Sequence, residues 1–226
     1  MTTNIKTKQL ELLLNDFELL AKTALLQLQI TNKLLQDNTI QSLYEEAESN
    51  EIIMDRLEIK IREEAVFTIF QFNPKAADLR KIITYQDITT NLERVGDMLL
   101  NVIHFLKKSQ LSHPDFEKIG KQIDKMIFYV GNMLRNAILS FSNEDAQMAY
   151  EVIKEDDKVD DIFHQISVSL QEAFSDRKLT KEEVQNVINV NAISHNLERI
   201  GDSATNIAEA AIYLTEGKDI RHGNKD

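Results

Sequence analysis

Asn91-Leu-Glu-Arg-Val-Gly-Asp-Met-Leu-Leu-Asn101 recurs later in the chain as Asn196-Leu-Glu-Arg-Ile-Gly-Asp-Ser-Ala-Thr-Asn206. Seven of the eleven positions are identical, and the two copies are 105 residues apart. The same offset carries Glu51 to Asp156 and Asp55 to Asp160. Because one fixed offset relates several separate positions, we infer an internal duplication and expect two similar halves.

The segments around these motifs follow a helical pattern. Apolar side chains recur every three or four residues, as at Leu10, Leu13, Leu14, Phe17 and Leu20. With 6 Gly and 2 Pro in 226 residues, the chain is poor in the residues that turn-dense β folds need. We predict an all-α fold of two tandem three-helix bundles related by internal duplication. The predicted helices cover residues 4–36, 39–72, 75–109, 113–141, 144–175 and 181–216.

The predicted division places the first bundle at residues 1–110, the second at 111–220 and a tail at 221–226. Three helix starts have recognisable capping sequences. We expect Asn73-Pro74 to begin the third helix and Ser112-His-Pro114-Asp115 to begin the fourth. Thr180-x-x-Glu183 has the pattern of a capping box for the sixth.

Composition excludes several classes of protein. The net charge is −11, and no Lys/Arg cluster of the kind that binds nucleic acid or anionic membranes is present. No apolar run approaches the roughly 20 residues of a membrane span, and residues 1–8 lack the apolar core of a secretion signal. The absence of Cys excludes disulfides and thiolate metal sites. We therefore expect a cytoplasmic protein whose metals, if any, have oxygen or histidine ligands.

Acidic residues spaced by one helical turn are the candidate ligands. Residues at i and i+4 project from one helix face with Cβ atoms about 5–6 Å apart, so two facing steps would enclose four carboxylates. Such a cage suits one or more divalent or trivalent cations with oxygen ligands. The steps are Glu51/Asp55 with Glu93/Asp97 in the first half, and Asp156/Asp160 with Glu198/Asp202 in the second.

Two alternative roles for these acids stay open. Like charges one turn apart destabilise a helix by about 0.2–0.5 kcal/mol, and Arg94 and Arg199 could neutralise them as well as a metal could. The chain would then be a structural helical scaffold. A carboxylate-bridged metalloenzyme is the second alternative, although the Glu-x-x-His motif of di-iron bundles is absent and Asp161-x-x-His164 is the nearest approach.

The residues near the acids have supporting roles in this prediction. We expect Asn101, Asn206, Arg94, Arg199, His164 and His195 to lie around the ligands rather than to bind the metal. Gly96 and Gly201 weaken a helix, so close helix approach or ligand access should explain them. No nucleophile–base set or phosphate-binding loop is recognisable, and we predict no catalytic residue.

The paired Asn-Leu-Glu-Arg-Val/Ile-Gly-Asp motifs resemble those of the PhoU family, the regulators of bacterial phosphate uptake. Further matching segments are Asn73-Pro-Lys-Ala-Ala-Asp-Leu-Arg80, Glu155-Asp-Asp-Lys-Val-Asp160 and Lys218-Asp-Ile-Arg-His222. The resemblance covers essentially the whole chain and implies the same pair of three-helix bundles, related by a pseudo-twofold axis. It also implies that the acidic steps bind iron or another divalent or trivalent metal, as in some members, with zinc, manganese and magnesium as alternatives. Asp156 is one methylene shorter than its counterpart Glu51. We expect this difference to affect the number or the occupancy of metal ions in the second site.

The resemblance further implies a non-enzymatic role. Family members repress the phosphate-starvation response by contacting the ATPase subunit of the phosphate transporter and a sensor kinase. We accordingly expect a metal-binding adaptor in phosphate homeostasis that exerts negative regulation through protein contacts. We also expect a homodimer.

Overall fold

Six long helices make up most of the chain in a computed structural model that describes residues 2–111, 113–176 and 178–220, with side chains from residue 12 onward. They are α1 (Thr2–Gln36), α2 (Gln41–Phe72), α3 (Ala76–Lys108), α4 (Glu117–Ser142), α5 (Ala146–Phe174) and α6 (Lys181–Glu216). A short 3-10 turn, Pro114–Phe116, precedes α4. The described ranges contain no β-strand, and the prediction of an all-α fold is confirmed.

The helices pack as two bundles that share a central seam. Helices α1, α2 and α3 contact one another, and α4, α5 and α6 do the same. The two bundles meet mainly where α3 packs along α6, with a smaller contact between α1 and α4. Each pair consists of equivalent helices from the two copies, as the predicted pseudo-twofold duplication requires.

Each helix buries the apolar stripe that its sequence pattern predicts. On α3 the fully buried residues include Leu92, Val95 and Leu99, and on α6 they include Leu197 and Ile200. The repeated Glu and Asp of the motif project from the other side of each helix. Burial of the apolar stripes therefore fixes the direction in which the acidic residues point.

An aromatic cluster joins the two bundles. Phe17 on α1, Tyr85 on α3 and Phe141 on α4 contact one another edge to face, with ring centroids 4.9–5.2 Å apart. All three are buried, and this burial is the main cause that raises the pKa of Tyr85 to about 12. The cluster spans both copies, so the two halves share one core.

The predicted start of α3 is wrong. Asn73 ends α2 instead: it has a left-handed backbone (φ 41°), and its N–H donates to the Ile69 carbonyl. Asn tolerates this conformation almost as well as Gly does, and the Pro74 that follows cannot continue the helix. The N-cap of α3 is Lys75, and its first helical residue is Ala76.

The other two capping predictions have different outcomes. At the 3-10 turn the capping side chain is His113, whose Nδ1 accepts a hydrogen bond from the Asp115 N–H at 3.3 Å. Ser112 lies outside the described residues. The capping box of α6 is present as predicted: Thr180 Oγ1 accepts from the Glu183 N–H at 3.2 Å, and Glu183 Oε2 accepts from the Thr180 N–H at 2.8 Å.

Two asparagines of α6 hold the segment that links the bundles. Asn189 Nδ2 donates to the Lys108 carbonyl at 3.1 Å, and Asn186 exchanges hydrogen bonds with the backbone of Gln110. The predicted division between residues 110 and 111 falls in this link and stays a prediction. The predicted tail, 221–226, lies outside the described residues. None of the described helices is both long enough and apolar enough to cross a membrane.

Candidate metal centres

Two glycines bring the acid-bearing helices close together. A Cβ atom on Gly96 of α3 would lie 2.7 Å from Met54 Cε on α2. On α6, a Cβ atom on Gly201 would lie 3.3 Å from Val159 Cγ1 and 3.6 Å from Asp156 Oδ1 on α5. Met54 and Val159 are themselves related by the 105-residue offset. Close helix approach therefore explains both glycines, and each approach forms a surface groove with acidic walls.

The first groove, between α2 and α3, brings three predicted ligands together. Glu51, Asp55 and Asp97 each place one carboxylate oxygen within 4.8 Å of the other two. Oxygens on opposite sides of a cation with bonds of about 2.3–2.6 Å would be separated by about 4.6–5.2 Å, and those side by side by less. The three carboxylates thus fit around one hard cation with little rearrangement.

Crowding of these carboxylates disfavours their ionised forms. Burial, together with the Asp97 hydrogen bond and the nearby charges of Asp55, Asp97 and Glu93, raises the pKa of Glu51 to about 7. Burial and the charges of Asp97, Glu58 and Asp55 raise the pKa of Glu93, against the opposing effect of Arg94. Glu93 is therefore the fourth acid of the groove, although it stands outside the close group of three.

The second groove, between α5 and α6, contains the other predicted set. Burial and the charges of Asp160 and Asp202 raise the pKa of Asp156 to about 6. Burial and the Asp202 charge raise the pKa of Glu198, and burial and the Asp160 charge raise that of Asp202. Charges thus act across the groove: Asp202 of α6 acts on Asp156, and Asp160 of α5 acts on Glu198 and Asp202.

The two grooves differ in how tightly the acids gather. Among the described residues, three carboxylate oxygens come within 4.8 Å of one another in the first groove alone. Asp156 is one methylene shorter than Glu51, and its Oδ1 would lie 3.6 Å from a Cβ atom on Gly201 of α6. In the second groove Glu198 Oε2 is buried and accepts no hydrogen bond, although His195 Nδ1 lies 3.5 Å from it. A cation is one group that would satisfy this oxygen.

The predicted supporting residues are distributed unevenly. His195 Nδ1 lies 3.5 Å from Glu198 Oε2, and its ring stacks on Phe163. His164, Asn101 and Asn206 are exposed. Arg94 and Asn206 line a cavity on the α3–α6 seam. Neither Arg94 nor Arg199 forms an ion pair within 4.0 Å of a groove carboxylate in the described part of the chain.

The sequence reasoning missed three residues of the first groove. Glu58, buried one turn beyond Asp55, acts on Glu93 and pairs with Arg62. At the other end, His104 Nε2 lies 2.9 Å from Glu48 Oε1. His104 lies on the same α3 face as Asp97, but only the α2–α3 packing brings Glu48 to it. Their counterparts at the 105-residue offset are Phe163, Glu209 and Ile153, so the repeat alone could not identify them.

Comparison with known proteins agrees with the duplication and the fold. The PhoU domain matches twice, over residues 17–106 and 123–211. A phosphate-specific transport system accessory protein PhoU homolog of Clostridium acetobutylicum is 32% identical over 169 residues, 74% of this chain and 75% of the relative. A homolog from Thermotoga maritima with the same description is 30% identical over 177 residues, 77% and 73% of the two chains.

Solved structures give the same result. The crystal structure of PhoU from Pseudomonas aeruginosa aligns with a TM-score of 0.82 at 26% identity, covering 94% of this chain and 99% of that one. The phosphate transport system regulatory protein PhoU from Streptococcus pneumoniae also aligns with a TM-score of 0.82, at 20% identity, which supports the fold alone. With the domain present in both halves and the fold shared along nearly the whole chain, this protein belongs to the PhoU family.

Proposed function

We propose that the protein is an accessory regulator of phosphate transport that acts by negative regulation and has no catalytic activity of its own. The observation that carries this proposal is the match of the PhoU domain to both halves of the chain. Relatives that match about three quarters of the chain are described as accessory proteins of a phosphate-specific transport system. An accessory role accords with a site made of crowded carboxylates on a rigid helical scaffold.

Deletion of the gene tests this role. Loss of a negative regulator should raise phosphate uptake in phosphate-replete cells and alter the expression of phosphate-regulated genes. A plasmid copy of the wild-type gene should restore both. Unchanged uptake and unchanged gene expression in the deletion strain would contradict the proposal.

We propose further that the two acidic grooves bind metal cations, iron or another divalent or trivalent ion. Glu51, Asp55 and Asp97 would hold the ion in the first groove, with Glu93 beside them. Asp156, Asp160, Glu198 and Asp202 would do so in the second. The bound cation would supply positive charge that removes the repulsion between neighbouring carboxylates. His195 would orient Glu198 in the second groove through the contact described above.

Thermal melts distinguish metal binding from the structural-scaffold alternative. A cation that binds only the folded state stabilises it by mass action, so added ferric iron or zinc should raise the melting temperature. A scaffold without metal sites would melt at the same temperature with and without the ion. The third possibility, a carboxylate-bridged metalloenzyme, predicts turnover of ferrous iron in an oxidase assay. We expect none.

The proposed partners are the ATPase subunit of the phosphate transporter and a phosphate sensor kinase, with the protein in the cytoplasm as a homodimer. The net charge of −11 favours protein partners over nucleic acid, since like charges repel a polyphosphate backbone. A pull-down from phosphate-replete cells, analysed by mass spectrometry, should recover the ATPase subunit or the kinase. Recovery of neither would contradict the proposed partners.

A further inference from the structure

One side of α2 is apolar and open to solvent. Five of its residues are each between 50% and 85% exposed: Ile52, Ile59, Val66, Phe67 and Phe70. We call this set the α2 outer face. Large exposed apolar side chains that recur along one side of a helix are uncommon on the surface of a monomer and usually mark a site of protein contact. Glu51 and Asp55 lie on the neighbouring flank of the helix, toward α3.

The duplication supplies an internal comparison for this face. Met54 on α2 and Val159 on α5 occupy the same position against Gly96 and Gly201, so the 105-residue offset is also the structural register of the two helices. The equivalent positions of α5 are polar, so the fold itself does not require apolar residues on this side of α2. At the 105-residue offset, the counterparts of the five residues of the α2 outer face are Asp157, His164, Gln171, Glu172 and Ser175.

The spacing along the α2 outer face is that of a coiled-coil seam. Ile52, Arg56, Ile59, Glu63, Val66 and Phe70 follow one another at alternating steps of four and three residues. Arg56 and Glu63 are exposed, and neither enters an ion pair in the described part of the chain. They are seven residues apart, about 10 Å along the axis, so they cannot pair with each other within one chain.

We propose that the α2 outer face binds the same face of a second copy of the chain, with the two α2 helices antiparallel. A twofold axis near residue 60 would bring Arg56 of each copy to Glu63 of the other. It would also bring Ile52 of each copy to Phe67 and Phe70 of the other. The face is thus complementary to itself in both charge and shape. The α2 outer face would be the contact surface of the homodimer put forward under the proposed function, and this assignment rests on that proposal.

Neighbouring side chains extend the contact. Asp16 on α1 binds Lys60 of α2, with Oδ1 2.8 Å from Nζ. Leu12 and Leu19, one turn to either side of Asp16, are 42% and 48% exposed. They lie beside the centre of the seam and add apolar area toward the roughly 800 Å² per copy of a typical stable interface. Because both copies use the same face, the contact closes at two copies.

Sedimentation velocity across a range of concentrations tests the interface. The wild-type chain should sediment as a dimer of about twice the 26.0 kDa chain mass. Arg56→Glu and Glu63→Arg should each weaken dimerisation about tenfold or more, because each brings like charges together twice across the axis. The double swap Arg56→Glu/Glu63→Arg should restore dimerisation to near the wild-type level. Only direct pairing of these two residues between copies predicts this rescue.

Matched variants on α5 provide the controls. Ile59→Asp should yield a monomer, whereas Gln171→Asp, at an exposed position on the equivalent side of α5, should leave the dimer intact. Circular dichroism should show unchanged helix content for each variant. A dimer that is indifferent to Ile59→Asp and to both charge reversals would overturn this surface while leaving the homodimer in place. A monomeric wild-type chain would overturn it too, even if the chain then bound vesicles of phosphatidylcholine and phosphatidylglycerol. Neither result would bear on phosphate regulation.

Discussion

The pKa of Glu51 depends on the burial and the neighbouring carboxylates of the first groove. Its carboxyl group is close to Asp55 and Asp97, and burial with these neighbours raises its pKa to about 7 from an ordinary 4.5. Over the range between these values the folded protein holds a proton that the unfolded chain has released. The free energy of unfolding must therefore fall as the pH rises through this window.

At the residue scale we predict a pH-dependent stability that depends on metal. Without metal, in EDTA, the melting temperature should decrease between about pH 5 and pH 7 as Glu51 is forced to ionise. With saturating metal it should increase over the same range, because the ligand must lose its proton to bind. Thermal melts at several pH values measure both slopes.

Glu51→Gln provides the variant for this prediction. It should flatten the metal-free slope and weaken the metal-dependent one, since the amide does not titrate. Glu46→Gln, an exposed position of α2 away from the groove, should leave both slopes as in the wild type. A metal-free protein whose stability rises between pH 5 and pH 7 would contradict the assigned crowding of carboxylates.

At the scale of the helices, Gly96 sets the distance between α2 and α3. Gly96→Val would place methyl groups where Met54 now lies, at a contact too short even for a Cβ atom. We expect a loss of about 1–3 kcal/mol in the free energy of unfolding from overpacking. We also expect weaker metal binding in the first groove, because its two walls would separate.

Gly120→Val is the matched control for this helix substitution. A Cβ atom on Gly120 of α4 meets nothing closer than the Leu111 carbonyl oxygen at 3.6 Å. Its effect on stability should stay within about 0.5 kcal/mol, as for most open positions. Urea unfolding followed by circular dichroism compares the two variants. Equal effects would show that helix approach at Gly96 is not critical.

The outcome at particular residues shows what sequence reasoning can predict here. The helices, the duplication and the acidic pairs follow from a period of three to four residues and a constant offset. Asn73 was misplaced because asparagine suits an N-cap and a left-handed helix end equally well, and the backbone alone decides between them. Glu48, Glu58 and His104 were missed because only His104 has a titratable counterpart in the other copy, Glu209. Their relation to the groove depends on helix packing that no local pattern encodes.

At the scale of the whole molecule, the shared aromatic cluster should make the two bundles unfold together. Phe141 is 1% exposed and contacts both Phe17 and Tyr85 of the other half. Phe141→Ala should reduce the free energy of unfolding by about 3–5 kcal/mol through the cavity it leaves. Unfolding should remain a single transition, since the lost contacts belong to both halves.

Phe128→Ala is the corresponding control, because Phe128 on the same helix is 62% exposed. It should change the free energy of unfolding by less than about 1 kcal/mol. Urea titrations monitored by circular dichroism would measure both effects. Two separate transitions in the wild type would contradict a shared core.

The metal content of purified protein tests the central claim that the duplicated grooves are two independent cation sites. Plasma mass spectrometry should find metal in the wild type and less in Glu93→Ala/Asp97→Ala, which removes two acids of the first groove only. Glu198→Ala/Asp202→Ala should lose the metal of the second groove. The variant with all four substitutions should contain only background metal. The buried stripe of Leu92, Val95 and Leu99 is untouched, so the first variant should stay folded. Background metal in the wild type after loading with ferric iron or zinc, or equal metal in all four proteins, would contradict the account.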